Sequence, residues 1–550
     1  MYPNAPRAVA LSCAAMSSDE SSSPRLSTYQ SLALVFSSRR TAAVALQSFF
    51  SGMPLGLVWI AIPAWMARVG IDIRTIGLVT LAQAPWSFKF LWSPIMDRYS
   101  PPFLGRKRGW MVLAQIALGI LMLAMAATAR ELGEAVAIGQ LLIPWVFILG
   151  SVTVTVAFAS TVQDIAMDAY AVEVLREEEQ GIAVGARTAL YRVGMMLAGA
   201  AAITIAAGVS WPATFVGMAA LYLLGTLVTA WSPEVEKPPP PPPSLRAAVW
   251  EPLVALLARS RAIEVIAFLF LYKFGDNVAQ ALLRPFLVQM GYGDFDVGIA
   301  SGTIGLIGNM VGPFIGGLVT SRIGLGHALW IFGVLQAVSN LGYIWIASVP
   351  PSSGVMYAAI GFETLTQGMG TGAFFVLLLR LTQKQFSATQ YALLSSIFAL
   401  GRVVTGPMAG FLVDAMGWRP FFLLTIFGAA PGLMFLQRFV PLGTSEPRIA
   451  PEAPSEVGAV ARGALFARGL AGAGLGLAAA VLVSATLGAL KAYRSAPEAG
   501  FQLGGMIAAL ARPETIAAWS ETLGVAVFAL FCGLAAAALT AARRGVAPRA

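Results

Sequence analysis

Histidine is almost missing from this 550-residue chain, which holds one, His327, in a connector between apolar runs. A lone imidazole so placed argues against a zinc site and against a His-dependent catalytic triad. Cysteine is as scarce: Cys13 and Cys532 lie at opposite ends and form neither a disulfide framework nor a metal-ligand spacing. No metal and no cofactor are expected. None of the six lysines follows a glycine, so the Gly-x4-Gly-Lys loop that cradles ATP phosphates is absent. Charge is also thin, at 11% against the roughly 25% of a soluble domain, while 57% of residues are hydrophobic. These figures define an all-α polytopic membrane protein. The net charge of +9 sits in short connectors, where membrane orientation explains it and nucleic-acid binding is not expected. A membrane enzyme would carry an acid cluster or a histidine in a large aqueous loop, and the loops here are short and carry neither.

Residues 1–40 are Ser- and Pro-rich and read as a disordered cytoplasmic tail. The apolar run Ala8 to Ala15 is short for a signal peptide, and Met16 is an alternative start. Apolar segments long enough to span follow at about 41–67, 73–96, 109–130, 137–172, 183–208 and 213–231, giving a first half over 41–231. The linker, 232–261, contains six consecutive prolines, Pro238 to Pro243. In polyproline II they extend roughly 19 Å as a stiff spacer. Trp250, Leu253, Val254, Leu256 and Leu257 among Arg246, Glu251 and Arg259 predict an interfacial helix after them. Six more spans, at about 262–290, 296–320, 328–349, 354–380, 391–416 and 419–441, form a second half over 262–441. A connector, 442–463, leads to two further apolar helices within 464–541 and a cytoplasmic tail, 542–550. The Asp97 to Arg108 turn and the 380–390 turn are basic, whereas the 208–213 and 349–354 turns are uncharged. By the positive-inside rule both termini and the linker are cytoplasmic. Six spans, a linker and six spans, with a basic turn after the second, is the arrangement of the major facilitator superfamily.

Charges inside lipid-soluble helices are costly and therefore point to function. The stretch Ser160 to Ala200 carries Gln163, Asp164 and Asp168 in one apolar segment and Arg192 in the next. It has an echo: Gln180 stands twelve residues before Arg192 and Gln390 twelve before Arg402, an offset of 210. Internal repeats of this kind build many secondary transporters. Asp164 and Asp168, four apart, share a helix face, and Lys273 and Asp276, three apart, can pair. A buried carboxylate beside a movable cation can take and release a proton, which is what a proton-coupled carrier requires. Glu363 lies about nine residues into its span without a local cation and is the leading proton carrier of the second half, with Asp276, Asp168 and Asp164 as further candidates. Arg192 and Arg402 either neutralise carboxylates or bind an anionic group of the solute, since a guanidinium grips both carboxylate oxygens. Lys89 either snorkels from its span's end or touches the solute. Asp97 opposes the macrodipole of its helix end and needs a cation, with Arg98, Arg106 and Arg108 at hand. Gly302, Gly305, Gly308, Gly312 and Gly316 form a bare stripe that permits close helix approach, along which two halves could slide. Trp59, Trp65, Trp86 and Trp92 read as interface anchors rather than sugar platforms.

Several motifs narrow the family. Phe88-Lys89-Phe90-Leu91-Trp92-Ser93-Pro94, Met96-Asp97-Arg98-Tyr99, and Gly105-Arg106-Lys107-Arg108-Gly109-Trp110 resemble the muropeptide permease family called AmpG. So do Gln163-Asp164-Ile165-Ala166, Tyr191-Arg192-Val193-Gly194-Met195, Tyr272-Lys273-Phe274-Gly275-Asp276, and Glu363 with Gly368-Met369-Gly370-Thr371. The matching stretches are spread over residues 44–410. The resemblance implies a monomeric, proton-driven permease of the bacterial inner membrane that brings anhydro-muropeptides into the cytoplasm for cell-wall recycling, with an indirect effect on β-lactamase induction. It also implies that Asp97 and its basic neighbours latch the cytoplasmic side between conformations. Eukaryotic acetyl-CoA transporters are similar to the same broader family, so another anionic solute is the alternative. A membrane enzyme or signalling protein is the alternative from another class. The partners expected are a small muropeptide-like solute, protons and the lipid bilayer.

Overall fold

The computed structural model describes residues 38–543 apart from 72–81, 83, 130–134, 139–140, 260, 448–460, 497 and 499. Most of the 1–40 tail, the alternative start and most of the 442–463 connector therefore lie outside the described residues. The first half contains α1 (Arg39–Arg68), α2 (Ser93–Arg98), α3 (Arg106–Thr128), α4 (Trp145–Val174), α5 (Glu177–Gly208) and α6 (Trp211–Trp231). The linker helix is α7 (Leu245–Leu257), capped by the Ser244 hydroxyl. The second half holds α8 (Ala262–Leu271), α9 (Phe274–Gln280), α10 (Leu283–Gln289), α11 (Asp294–Ile323), α12 (Leu325–Ile346), α13 (Ser353–Leu381), α14 (Ser387–Met416) and α15 (Trp418–Phe439). Then come α16 (Arg462–Ser495), α17 (Leu503–Ala511) and α18 (Ile516–Arg543). Among the described residues, 10 helices are long and apolar enough to cross a membrane.

Where the chain departs from unbroken spans, backbone chemistry gives the reason. The described part of the second span is three short pieces, Ala84–Ser87, Lys89–Leu91 and α2, the last with a proline in its first turn. The seventh span is cut into α8, α9 and α10, with Pro285 in the last piece. A proline removes a backbone donor and clashes with the preceding turn, so apolar composition carries on where the hydrogen-bond ladder does not. The fourth span opens on a hairpin instead of a helix: β1 (Ala135–Ile138) pairs antiparallel with β2 (Leu141–Pro144).

Packing shows how the halves meet. One apolar cluster runs through both, joining Tyr170 and Val184 of the first to Phe268, Leu377 and Phe398 of the second. Two others stay within one half each, around Trp65 and Phe215 in the first and around Phe286 and Phe422 in the second. The shared core lies at the linker end and the separate cores lie toward the far end. The bundle is thus closed at the linker end.

Glycine sets the closest approach. A Cβ at Gly317 on α11 would strike the Gly181 carbonyl on α5, and one at Gly185 would strike Phe314. This is where the halves touch. The stripe expected to serve that purpose does something else: Gly308, Gly312 and Gly316 lie against Thr364, Leu365, Gly368 and Met369 of α13, inside the second half. Gly305 has Thr364 in reach, but Gly302 faces open space, because the π-helical turn Ile299–Ile304 shifts the register by a residue. The last helices form a hairpin, in which Gly472 and Gly476 meet Cys532, Gly533 and Ala536. It docks through Phe531 on Phe90, 5.4 Å between ring centres, and through Ala538 on Leu253, Leu257 and Leu393.

Candidate functional site

Three polar clusters are set in this apolar frame. The first lies in the first half. Asp164 and Asp168 stand one turn apart on α4, and Lys89 reaches both, at 3.6 and 3.2 Å. Arg187 of α5 pairs with the other oxygen of Asp168, and the Ser51 hydroxyl donates to Asp164 at 2.6 Å. Two acids and two bases balance in formal charge, which offsets the cost of burying them together in a low-dielectric interior. Lys89 is therefore buried rather than snorkelling, and Asp168 is buried rather than solvated. Arg187 was not among the residues expected from sequence. Its sequence signal is a guanidinium inside an apolar helix, which Arg192 shares and to which Arg192 adds the repeat spacing. Arg192 is half-buried and, among the described residues, has no ion-pair partner. Arg402 stands in α14, and its side chain lies outside the described residues.

The second cluster lies across the seventh, ninth and tenth spans. Lys273 caps α9 at a helix break, 3.6 Å from Asp276, and gives hydrogen bonds to the Gln367 carbonyl at 2.7 Å and to Gln336. Glu363, buried on α13, accepts from the Gln280 amide at 2.8 and 2.9 Å, one bond to each oxygen. No cation pairs with Glu363 among the described residues, in line with its sequence setting. Gln280 was not expected at the site. An amide carries no charge, so hydropathy gives it no prominence.

The third cluster closes the linker end. The Asp97 carboxylate accepts from Lys107 at 2.6 Å, not from Arg98, Arg106 or Arg108. It also accepts from the Ala388 and Thr389 amides at 3.2 and 2.8 Å, capping the first turn of α14 in the other half. Arg106 donates to the Asp97 carbonyl at 3.1 Å and pairs with Glu173 at 3.3 Å. Glu173 in turn accepts from Ser387 across the interface at 2.5 Å. Arg108 pairs instead with Glu234 of the linker at 3.3 Å, and Arg98 lies over the Tyr99 ring at 5.5 Å. The tryptophans divide as well: Trp59 is exposed, while Trp65 is fully buried against Trp211, their rings 5.1 Å apart. Among the described residues, no group of three or more His, Cys, Asp or Glu side chains could hold a metal ion.

Charge clusters in each half, a bond network across the halves at one end and separate cores at the other define a two-lobed membrane carrier. The family model of the Major Facilitator Superfamily matches residues 44–386. The chain is 39% identical over 405 residues to the anhydromuropeptide permease of Escherichia coli K12, covering 73% of this chain and 80% of that protein. It is 31% identical over 412 residues to the putative transporter AmpG 4 of Rickettsia conorii, covering 73% and 97%. Among solved structures, the proton:xylose symporter XylE aligns with a TM-score of 0.57 at 13% identity, over 77% of this chain and 99% of that one. The fucose:proton symporter FucP of E. coli aligns at 0.56 and 12%, over 72% and 98%. The chain belongs to the Major Facilitator Superfamily and, within it, to the family of the E. coli anhydromuropeptide permease.

Proposed function

We propose that the chain carries anhydro-muropeptides, GlcNAc-anhydroMurNAc peptides, from periplasm to cytoplasm in symport with protons. The reading places it in a bacterial inner membrane as a monomer with both termini cytoplasmic. The observation that carries the proton role is Glu363, a buried carboxyl held by the Gln280 amide with no ion-pair partner among the described residues. Burial in an apolar span without an ion-pair partner among the described residues makes the ionised carboxyl costly while the Gln280 amide favours it, so its proton can follow the conformational cycle. The first-half cluster, balanced in charge, suits a role in exchanging ion-pair partners during rocking. In this reading the linker end is cytoplasmic, and the bonds of Asp97 and Glu173 across the halves serve as the inner gate. The identity to the E. coli permease supports the substrate.

The test is uptake of radiolabelled anhydro-muropeptide by membrane vesicles under an imposed proton gradient. Accumulation that collapses with an uncoupler and is not competed by acetyl-CoA is the expected result. Accumulation indifferent to the uncoupler removes the proton role, and competition by acetyl-CoA moves the assignment to the other anionic solute.

A further inference from the structure

The seventh span breaks beside a cavity. α9 ends at Gln280, α10 begins at Leu283, and a cavity of about 340 Å³ lies against the gap. Its polar lining comes from three spans: Gln280 and Arg284, Ser301 and Asn309 of α11, and Thr364 of α13. Secondary transporters hold solutes beside discontinuous helices, where interrupted backbone lines a cavity. The volume is at the small end of ligand pockets, so it suits one part of a large solute rather than the whole.

The chemistry of the lining is asymmetric. The Ser301 hydroxyl donates to the Val297 carbonyl at 2.7 Å, the Thr364 hydroxyl to Ile360 at 2.7 Å, and the Asn309 amide to Gly305 at 2.8 Å. The two hydroxyls spend their single donor on their own helix and keep acceptor capacity for whatever fills the cavity, and Asn309 keeps its carbonyl oxygen and a second N–H. Arg284 is the opposite: exposed at the cavity, all donors, and without an ion-pair or hydrogen-bond partner among the described residues. A guanidinium beside acceptors fits a carboxylate flanked by N–H or O–H groups, as in a peptide terminus or an amino-sugar acid. The cavity also adjoins the proposed proton carrier. Gln280 lines it and, through the same amide, binds both oxygens of Glu363, the residue adjacent to Thr364.

We propose that this cavity is the subsite for a carboxylate of the solute, with Arg284 as its counter-ion and Gln280 as the positioning residue that links occupancy to Glu363. The proposal rests on the carrier reading above and assigns it a recognition site. A solute that draws the Gln280 amide toward itself removes two hydrogen bonds that favour the ionised Glu363, and proton uptake accompanies loading. Arg284 was legible in the sequence as a charge inside an apolar run, just before Pro285, but a cation near the end of a span reads first as an interface anchor.

The test uses the full-length chain purified in detergent, with an anhydro-muropeptide tripeptide as probe and the same compound with its peptide carboxylates amidated. Wild type is expected to bind the acid at least tenfold more tightly than the amide. Arg284→Ala is expected to bind the two alike, and Arg284→Lys to restore part of the preference. Gln280→Ala is expected to flatten the pH dependence of acid binding. Equal binding of acid and amide by wild type, or an unchanged preference in folded, monodisperse Arg284→Ala, overturns the subsite. Unchanged pH dependence in Gln280→Ala overturns the link. Transport in vesicles reads the underlying function separately: wild type that binds the acid selectively but accumulates neither compound counts against the carrier reading and leaves the subsite standing.

Discussion

The Asp97 carboxylate accepts both the backbone amide of Thr389, at 2.8 Å, and its hydroxyl, at 2.7 Å, and so ties the second span of one half to the eleventh of the other. The bond uses a helix N-terminus, whose free N–H groups favour an anion, and Lys107 balances the charge from the same half. Such a bond exists only while the linker end is closed.

Asp97→Ala should therefore open that end. Losing one member of a buried pair costs up to about 3–5 kcal/mol, and Lys107 would keep only Glu173, at 3.6 Å and shared with Arg106. A cysteine introduced at Ser387, in a background with Cys13 and Cys532 replaced, should gain reactivity toward a polar thiol reagent. Unchanged labelling would show that the gate does not depend on Asp97.

Substitution of the close glycines should act in the same direction through sterics. At Gly317 any side chain meets the Gly181 carbonyl, so Gly317→Val should wedge the linker end apart at a cost of roughly 1–3 kcal/mol. Gly302→Val, facing open space, is the control and should leave thermal stability and labelling as in the parent.

Within the first half, Lys89 and Asp168 should be energetically coupled. Lys89→Ala alone leaves two acids facing Arg187, whereas Lys89→Ala with Asp168→Asn restores neutrality. The double variant should recover part of the stability lost by the single one, with an interaction of ~0.5–3 kcal/mol in a thermal-shift cycle. Additive losses would mean that the ion pair is not a unit.

Glu363→Gln should abolish accumulation against a gradient but preserve exchange of labelled for unlabelled solute. The amide keeps the side chain's size and neutral polarity while removing the proton. Uphill accumulation by this variant would clear Glu363 of the coupling role.

Much of the site was readable before any contact was known, because ionised groups in apolar runs stand out at once. Their partners were not. Arg187 and Arg192 sit in the same helix, five residues apart, which places them about 140° from one another around its axis, so only one can face Asp168. The latch shows the same limit: Arg106, Lys107 and Arg108 follow one another at ~100° steps, and the middle one reaches Asp97 while its neighbours turn to Glu173 and Glu234. Gly302 kept its spacing in sequence but lost its face to a single π-helical turn.

Composition and hydropathy by themselves determined that the chain crosses a membrane many times, and which side chains would be costly there. Those are local transfer energies, additive along the chain. Tertiary structure alone decided which acid meets which base, which glycines join halves instead of neighbours, and which end is shut. Asp97 and Thr389 are 292 residues apart, and no local pattern encodes a bond that depends on the rotation of two helices and the docking of two lobes.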